Sequence, residues 1–95
     1  MRVSYHRVFK KAIINFDKQN IIKIEDVYNL INDFVDNPTK NSHDNKHIKG
    51  CSKFKNLWQI RVNRNYRILY LKFEEEYKFR FIGKHNDAED VIKNC

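Results

Sequence analysis

With 95 residues the chain has room for one modest core and too few for two, so a single domain spanning 1–95 is expected. Its 19 basic and 12 acidic side chains leave a net charge of +7, which suits a polyanion or an acidic partner, with nucleic acid first among them. The two cysteines, Cys51 and the final residue Cys95, form no metal-ligand spacing and are not expected to pair; no apolar run approaches the ~20 residues of a membrane span, and MRVSYHRVFKK is no secretory leader. The expectation is a reduced, cytoplasmic protein without membrane attachment, metal or cofactor.

Val3 to Tyr5 suits a short first strand. Val8, Phe9, Ala12, Ile13 and Phe16 then recur at helical spacing and predict an amphipathic helix over 6–18. Gln19 and Asn20 end it. Ile24, Val27, Tyr28, Ile31, Phe34 and Val35 predict a second helix over 24–36, favoured at its start by Glu25 and Asp26 and closed before Pro38. Residues 37–56 are polar, lack a sustained period and read as a long connection that Ile48 and Phe54 pin to the core.

Three strands follow. In Leu57 to Asn63, Trp58, Ile60 and Val62 share one face, while Gln59, Arg61 and Asn63 share the other. Tyr66 to Phe73 is apolar on both faces, as a strand in the middle of a sheet would be. After a turn at Glu74–Glu76, the expected alternation sets Tyr77, Phe79 and Phe81 against Lys78, Arg80 and Ile82, and the strand stops at Gly83. The remainder is a short tail with one helical turn around Ala88 to Ile92. This order predicts an α+β fold: a short N-terminal strand, two helices, then a three-stranded antiparallel meander with the helices on one face. The other face is then free to carry Arg61 and Arg67.

The charge is concentrated along this sheet. Residues 46–73 contain Lys46, Lys49, Lys53, Lys55, Arg61, Arg64, Arg67 and Lys72 and no Asp or Glu. Aromatic residues lie between them. Such a surface grips a phosphate backbone, and binding through it weakens with salt.

LWQIRVNRNYRILY followed by FIGKHNDAED resembles the RelE/ParE superfamily of bacterial type II toxins, in particular its RelE/YafQ-like mRNA interferases. The shared features are HIKG, a strand with Trp58 and Arg61, the pair Tyr66-Arg67 with Tyr70, and Gly83-Lys84-His85. The resemblance implies a toxin that acts as a ribosome-dependent mRNA endonuclease, with mRNA and the ribosome as partners. It also implies a cognate antitoxin, whose toxin-binding segment should be small and acidic to match the cationic sheet.

By the same resemblance Arg67 matches the arginine that contacts the reacting phosphate, Arg61 a basic position on the preceding strand, and His85 the position after Gly83-Lys84. His47 lies near a loop position where YafQ-like toxins place a histidine. The chain departs from RelE in having Val91 where a catalytic tyrosine stands and Gln59 where a lysine stands, which favours histidine-centred chemistry. RNA cleavage without metal needs a base for the 2′-OH proton, cations for the charge on the phosphate and an acid for the leaving 5′-oxygen. His85, Arg67, Arg61 and His47 are the catalytic candidates, and Lys46, Lys49, Lys53, Lys55 and Arg64 the RNA-binding ones. Several have a structural rival: a loop histidine at 85 or 47, a solvated charge at Arg64, and at position 67 an arginine that stacks on Tyr66 or pairs with a tail carboxylate such as Asp87. A ParE-like DNA gyrase inhibitor without nuclease chemistry, and an inactive RNA-binding relative, are the competing functions.

Overall fold

The computed structural model describes all residues, Met1–Cys95. The elements in chain order are β1 (Arg2–Tyr5), α1 (Arg7–Lys18), α2 (Ile24–Asp36), a 3-10 turn (Asn41–His43), β2 (Lys46–His47), β3 (Leu57–Arg61), β4 (Tyr66–Lys72), β5 (Glu76–Lys84) and α3 (His85–Lys93). The strands form one sheet in the order β1-β5-β4-β3-β2; β1 runs parallel to β5 and every other pair is antiparallel. The apolar strand predicted for the middle is β4, with two neighbours on each side. No helix is long and apolar enough to cross a membrane.

Local chemistry sets the helix ends. His6 caps α1, its Nδ1 accepting from the Val8 N–H at 3.1 Å. At the other end Asn20 takes a left-handed conformation, φ 56°, and the Ile21 N–H reaches back to the Phe16 carbonyl at 2.9 Å. Phe9 and Ile13 of α1 and Val27, Ile31 and Phe34 of α2 then bury against Ile60, Ile68, Tyr70, Tyr77, Phe79 and Ile82 of the sheet. The i, i+3 and i, i+4 spacing of the sequence thus becomes the main core.

Four expectations are corrected. First, β5 does not alternate regularly: Leu69 pairs with Phe81 and Tyr70 with Phe79, so Arg80 is the extra residue of a bulge. The bulge reverses facing, placing Ile82 with Tyr77 and Phe79 in the main core and Phe81 on the opposite side. Second, the tail is a nine-residue helix. Third, the sheet face away from α1 and α2 is not free. Ile48, Cys51, Leu57, Leu69 and Leu71 form a second cluster there, joined by Phe54, Phe81 and Ile92, under α3 and the loop after β2.

Fourth, Cys51 and Cys95 form a disulfide, their Cα atoms 5.1 Å apart. A separation of 44 residues hides this proximity in the sequence, and the packing of α3 across the loop creates it. The connection over 37–56 is also better ordered than its composition implies. It holds the 3-10 turn and β2, with His43 buried edge-on to Phe34 at 5.7 Å. His43 Nε2 lies 3.0 Å from Asp33 Oδ2, close for an ion pair but poorly directed for a hydrogen bond.

Candidate active site

Arg61 and Arg67 stand directly opposite each other across the β3–β4 ladder. Their neighbours Ile60 and Ile68 enter the main core, so the two arginines share the other sheet face. The turn between the strands determines what Arg67 does. Asn63 Oδ1 accepts from the Asn65 N–H at 2.9 Å and the Tyr66 N–H at 3.0 Å, closing the turn. Backbone carbonyls are left pointing inward, and Arg67 Nη1 donates to those of Asn63 at 2.7 Å, Tyr66 at 2.9 Å and Arg64 at 3.4 Å. Arg67 is therefore only 9% exposed, and its partners are carbonyls rather than Asp87. Its Nε and Nη2 have no protein acceptor, which leaves one edge of the guanidinium for an oxyanion.

His85 opens α3, and its N–H donates to the Asn65 carbonyl at 2.8 Å, tying the helix start to the same turn. One helical turn later Glu89 Oε1 lies 3.0 Å from His85 Nε2. The approach is one of ion-pair distance without hydrogen-bond direction; a neutral imidazole carries one donor and one acceptor nitrogen, so the ring can take or give a proton. Gly83, two residues earlier, faces Arg67 across the β4–β5 ladder. A Cβ at Gly83 would come within 2.7 Å of the Phe81 ring, so only hydrogen lets that ring lie over the strand here.

Two open depressions meet at His85. One, of about 490 Å³, is lined by Arg64, Tyr66, Arg67, Lys84, His85 and Asn86. The other, of about 400 Å³, lies between the β2 region and α3 and includes Lys46, Lys49, Gln59, His85, Glu89 and Lys93. The structure thus brings His85 together with Arg67 and Arg64 on one side and with Lys46 and Lys49 on the other.

The remaining candidates are less directly engaged. Arg61 Nη2 is 3.3 Å from Asp44 Oδ2 in an exposed pair. His47 borders the second depression, yet its ring packs 5.0 Å from that of Trp58 and its Nε2 is 2.8 Å from the Lys55 carbonyl. Lys53 borders a separate apolar groove with Phe54, Phe81 and Cys95, and Lys55 is exposed. Trp58 is half-buried against the main core, with Lys72 Nζ 5.0 Å from its ring centre. Tyr70 is fully buried and its hydroxyl donates to Asn45 Oδ1 at 2.6 Å. Burial first, and Tyr77 second, push that phenol far above its ordinary pKa, so it is a core group rather than a proton carrier. No three His, Cys, Asp or Glu side chains converge as a metal site would require.

Sequence reasoning missed Glu89, Lys84 and Lys93. Glu89 carried a readable signal, its i, i+4 spacing from His85, which acquires meaning only if the helix begins at residue 85.

No protein-family profile and no curated protein matches the sequence. Among solved structures, YafQ from E. coli strain BL21(DE3) superposes with a TM-score of 0.72 at 14% identity, over 93% of this chain and 98% of that one. The E. coli DinJ-YafQ complex gives 0.72 and 14% over 92% and 97%. A YoeB/ParE toxin from Agrobacterium tumefaciens gives 0.70 and 14% over 90% and 99%. The chain therefore has the fold of these toxins, the RelE-like arrangement of strand, helices and meander, over nearly its whole length.

Proposed function

We propose that the chain is the toxin of a type II toxin-antitoxin system and a ribosome-dependent endonuclease that cleaves mRNA without a metal. The observation that carries this reading is the meeting of His85, with Glu89 3.0 Å from its Nε2, and the unpartnered edge of Arg67 in one cationic depression. A phosphate bound on the Nε–Nη2 edge of Arg67 would be held by a guanidinium already fixed through three carbonyls, so little reorganisation accompanies charge development. The neutral ring of His85 would take the proton of the 2′-OH as its oxygen attacks the phosphorus. An imidazolium, from His85 or His47, would return a proton to the departing 5′-oxygen. Arg61 would add charge on the same face after leaving Asp44, an exposed pair worth at most about 1 kcal/mol. Lys46, Lys49, Lys53, Lys55 and Arg64 would hold the RNA backbone.

The complex of YafQ with DinJ supports an antitoxin as the partner of this chain. The +7 charge favours an acidic toxin-binding segment. Incubation with translating ribosomes is expected to give cuts within mRNA codons. His85→Ala should slow them by about 10²-fold or more and Arg67→Ala by roughly 10²–10³-fold. Undiminished cutting by both variants would remove this site.

The competing reading, a ParE-like inhibitor of DNA gyrase, is favoured by one observation: exposed Val91 stands where the RelE tyrosine would supply a base. Loss of supercoiling with mRNA left intact would decide for it.

A further inference from the structure

The Cys51–Cys95 bond joins the two walls of the second depression. Cys51 lies in the loop that follows β2 and carries Lys49, Lys53 and Lys55; Cys95 lies just beyond α3, which begins with His85 and carries Glu89. A nine-residue helix is too short to persist alone in water. Besides the hydrogen bond at His85, α3 is held by fully buried Ala88 and half-buried Ile92. At its far end come the disulfide and a 3.1 Å hydrogen bond from Ser52 Oγ to the Cys95 carbonyl. The loop uses the same sulfur internally, since the Phe54 N–H donates to Cys51 Sγ at 3.1 Å.

We infer that Cys51 and Cys95 are a reversible redox clasp: the disulfide holds α3 against the lysine-bearing loop and keeps the site at His85 assembled, and reduction loosens both. The consequence for catalysis rests on the nuclease reading above; the consequence for α3 does not. Cys51 is 6% exposed, whereas Cys95 is partly exposed and borders an open groove that Lys53 and Arg80 also line. These cations favour approach of an anionic thiolate. A dithiol reductant would attack Cys95 Sγ, form a mixed disulfide and release Cys51 as a thiolate, which takes a proton. The second reductant thiol would then displace Cys95, leaving two cysteine thiols and the oxidised reductant. Two electrons and two protons pass to the protein, and an oxidant of the disulfide class reverses the step.

The full chain, air-oxidised or reduced with dithiothreitol, would be compared by hydrogen exchange and by cleavage on translating ribosomes. Reduction is expected to speed amide exchange in α3 and in the loop 48–56 while β4 keeps its protection. Cleavage should fall by on the order of tenfold, since a small displacement of a positioned group is enough to cost this much, and should recover on reoxidation. The double substitution Cys51→Ser, Cys95→Ser should match the reduced protein and ignore dithiothreitol. Equal α3 exchange in both redox states overturns the clasp, and so does equal cleavage by an active protein. If neither state cuts RNA, the nuclease reading fails, and α3 exchange alone decides for or against the clasp.

Discussion

The proposed chemistry of His85 turns on its neighbour Glu89, whose carboxylate lies 3.0 Å from Nε2 and sets a negative charge beside the ring. Glu89→Gln retains a hydrogen-bonding oxygen but removes the charge. It should lower the cleavage rate by on the order of tenfold, part of the ~10²–10⁴ that a positioned acid or base supplies. RNA affinity measured separately should not fall, because the substitution removes a negative charge from a cationic depression.

His6 makes the opposite argument. Partial desolvation first, then Arg80, Lys78 and Arg7, hold its pKa below the ordinary 6.5, which favours the neutral ring that caps α1. The unfolded chain therefore binds this proton more readily, and the cap contribution is present above pH 6.5 and is lost as pH falls from there through the lowered folded value. His6→Asn, which keeps an acceptor at the cap and cannot titrate, should remove this part of the acid dependence of the unfolding midpoint. The helix predicted over 6–18 takes His6 in, whereas the structure makes it the cap of a helix that starts at Arg7. The approach of Glu89 to His85 was not readable either, because a tail read as one turn gives the two residues no common face.

At the scale of elements, the β3–β4 turn matters most, since it shapes the strand pair and fixes Arg67. Asn63→Ala would remove the acceptor that receives two backbone N–H groups, at a cost of about 1 kcal/mol in stability. In a domain this small that corresponds to a fall of roughly 4–8 °C in Tm. The same change should weaken phosphate binding at Arg67, whose Nη1 is held by the Asn63 carbonyl, so Asn63→Ala and Arg67→Ala together should cost less than the sum of their separate effects on cleavage. Among the other elements, α3 depends on covalent support more than α1 or α2 do. In a chain-entropy account, a disulfide closing a loop of 44 residues contributes about 4 kcal/mol. That exceeds what the burial of Ala88 and half of Ile92 supplies to so short a helix. The two long helices were legible because their apolar stripes are wide and regular; α3 was not, because Ala88 is its one fully buried residue.

Across the whole molecule, the proposed RNA binding would be governed by charge. Lys46, Lys49, Arg64, Arg67, Lys84 and Lys93 line the two depressions, so that binding should weaken steeply with salt. Replacing any one of Lys46, Lys49 or Arg64 with Gln should flatten the log–log salt dependence of single-stranded RNA binding by about 0.7 and leave the fold intact. A slope that the substitutions leave unchanged would move the RNA path elsewhere. The sequence by itself determined the two-helix layer, the central place of β4, the shared face of Arg61 and Arg67 and the cationic character of 46–73. These follow from period and charge, which are local and additive along a chain. Only the tertiary structure decided that a bulge at Arg80 turns Phe81 and Ile82 to opposite faces, that Cys51 and Cys95 meet, and that Arg67 is held by turn carbonyls beside His85 with Glu89 close to its ring. Each of these depends on how distant segments pack, through register, chain closure and the direction of individual donors, and no period in the sequence encodes such contacts.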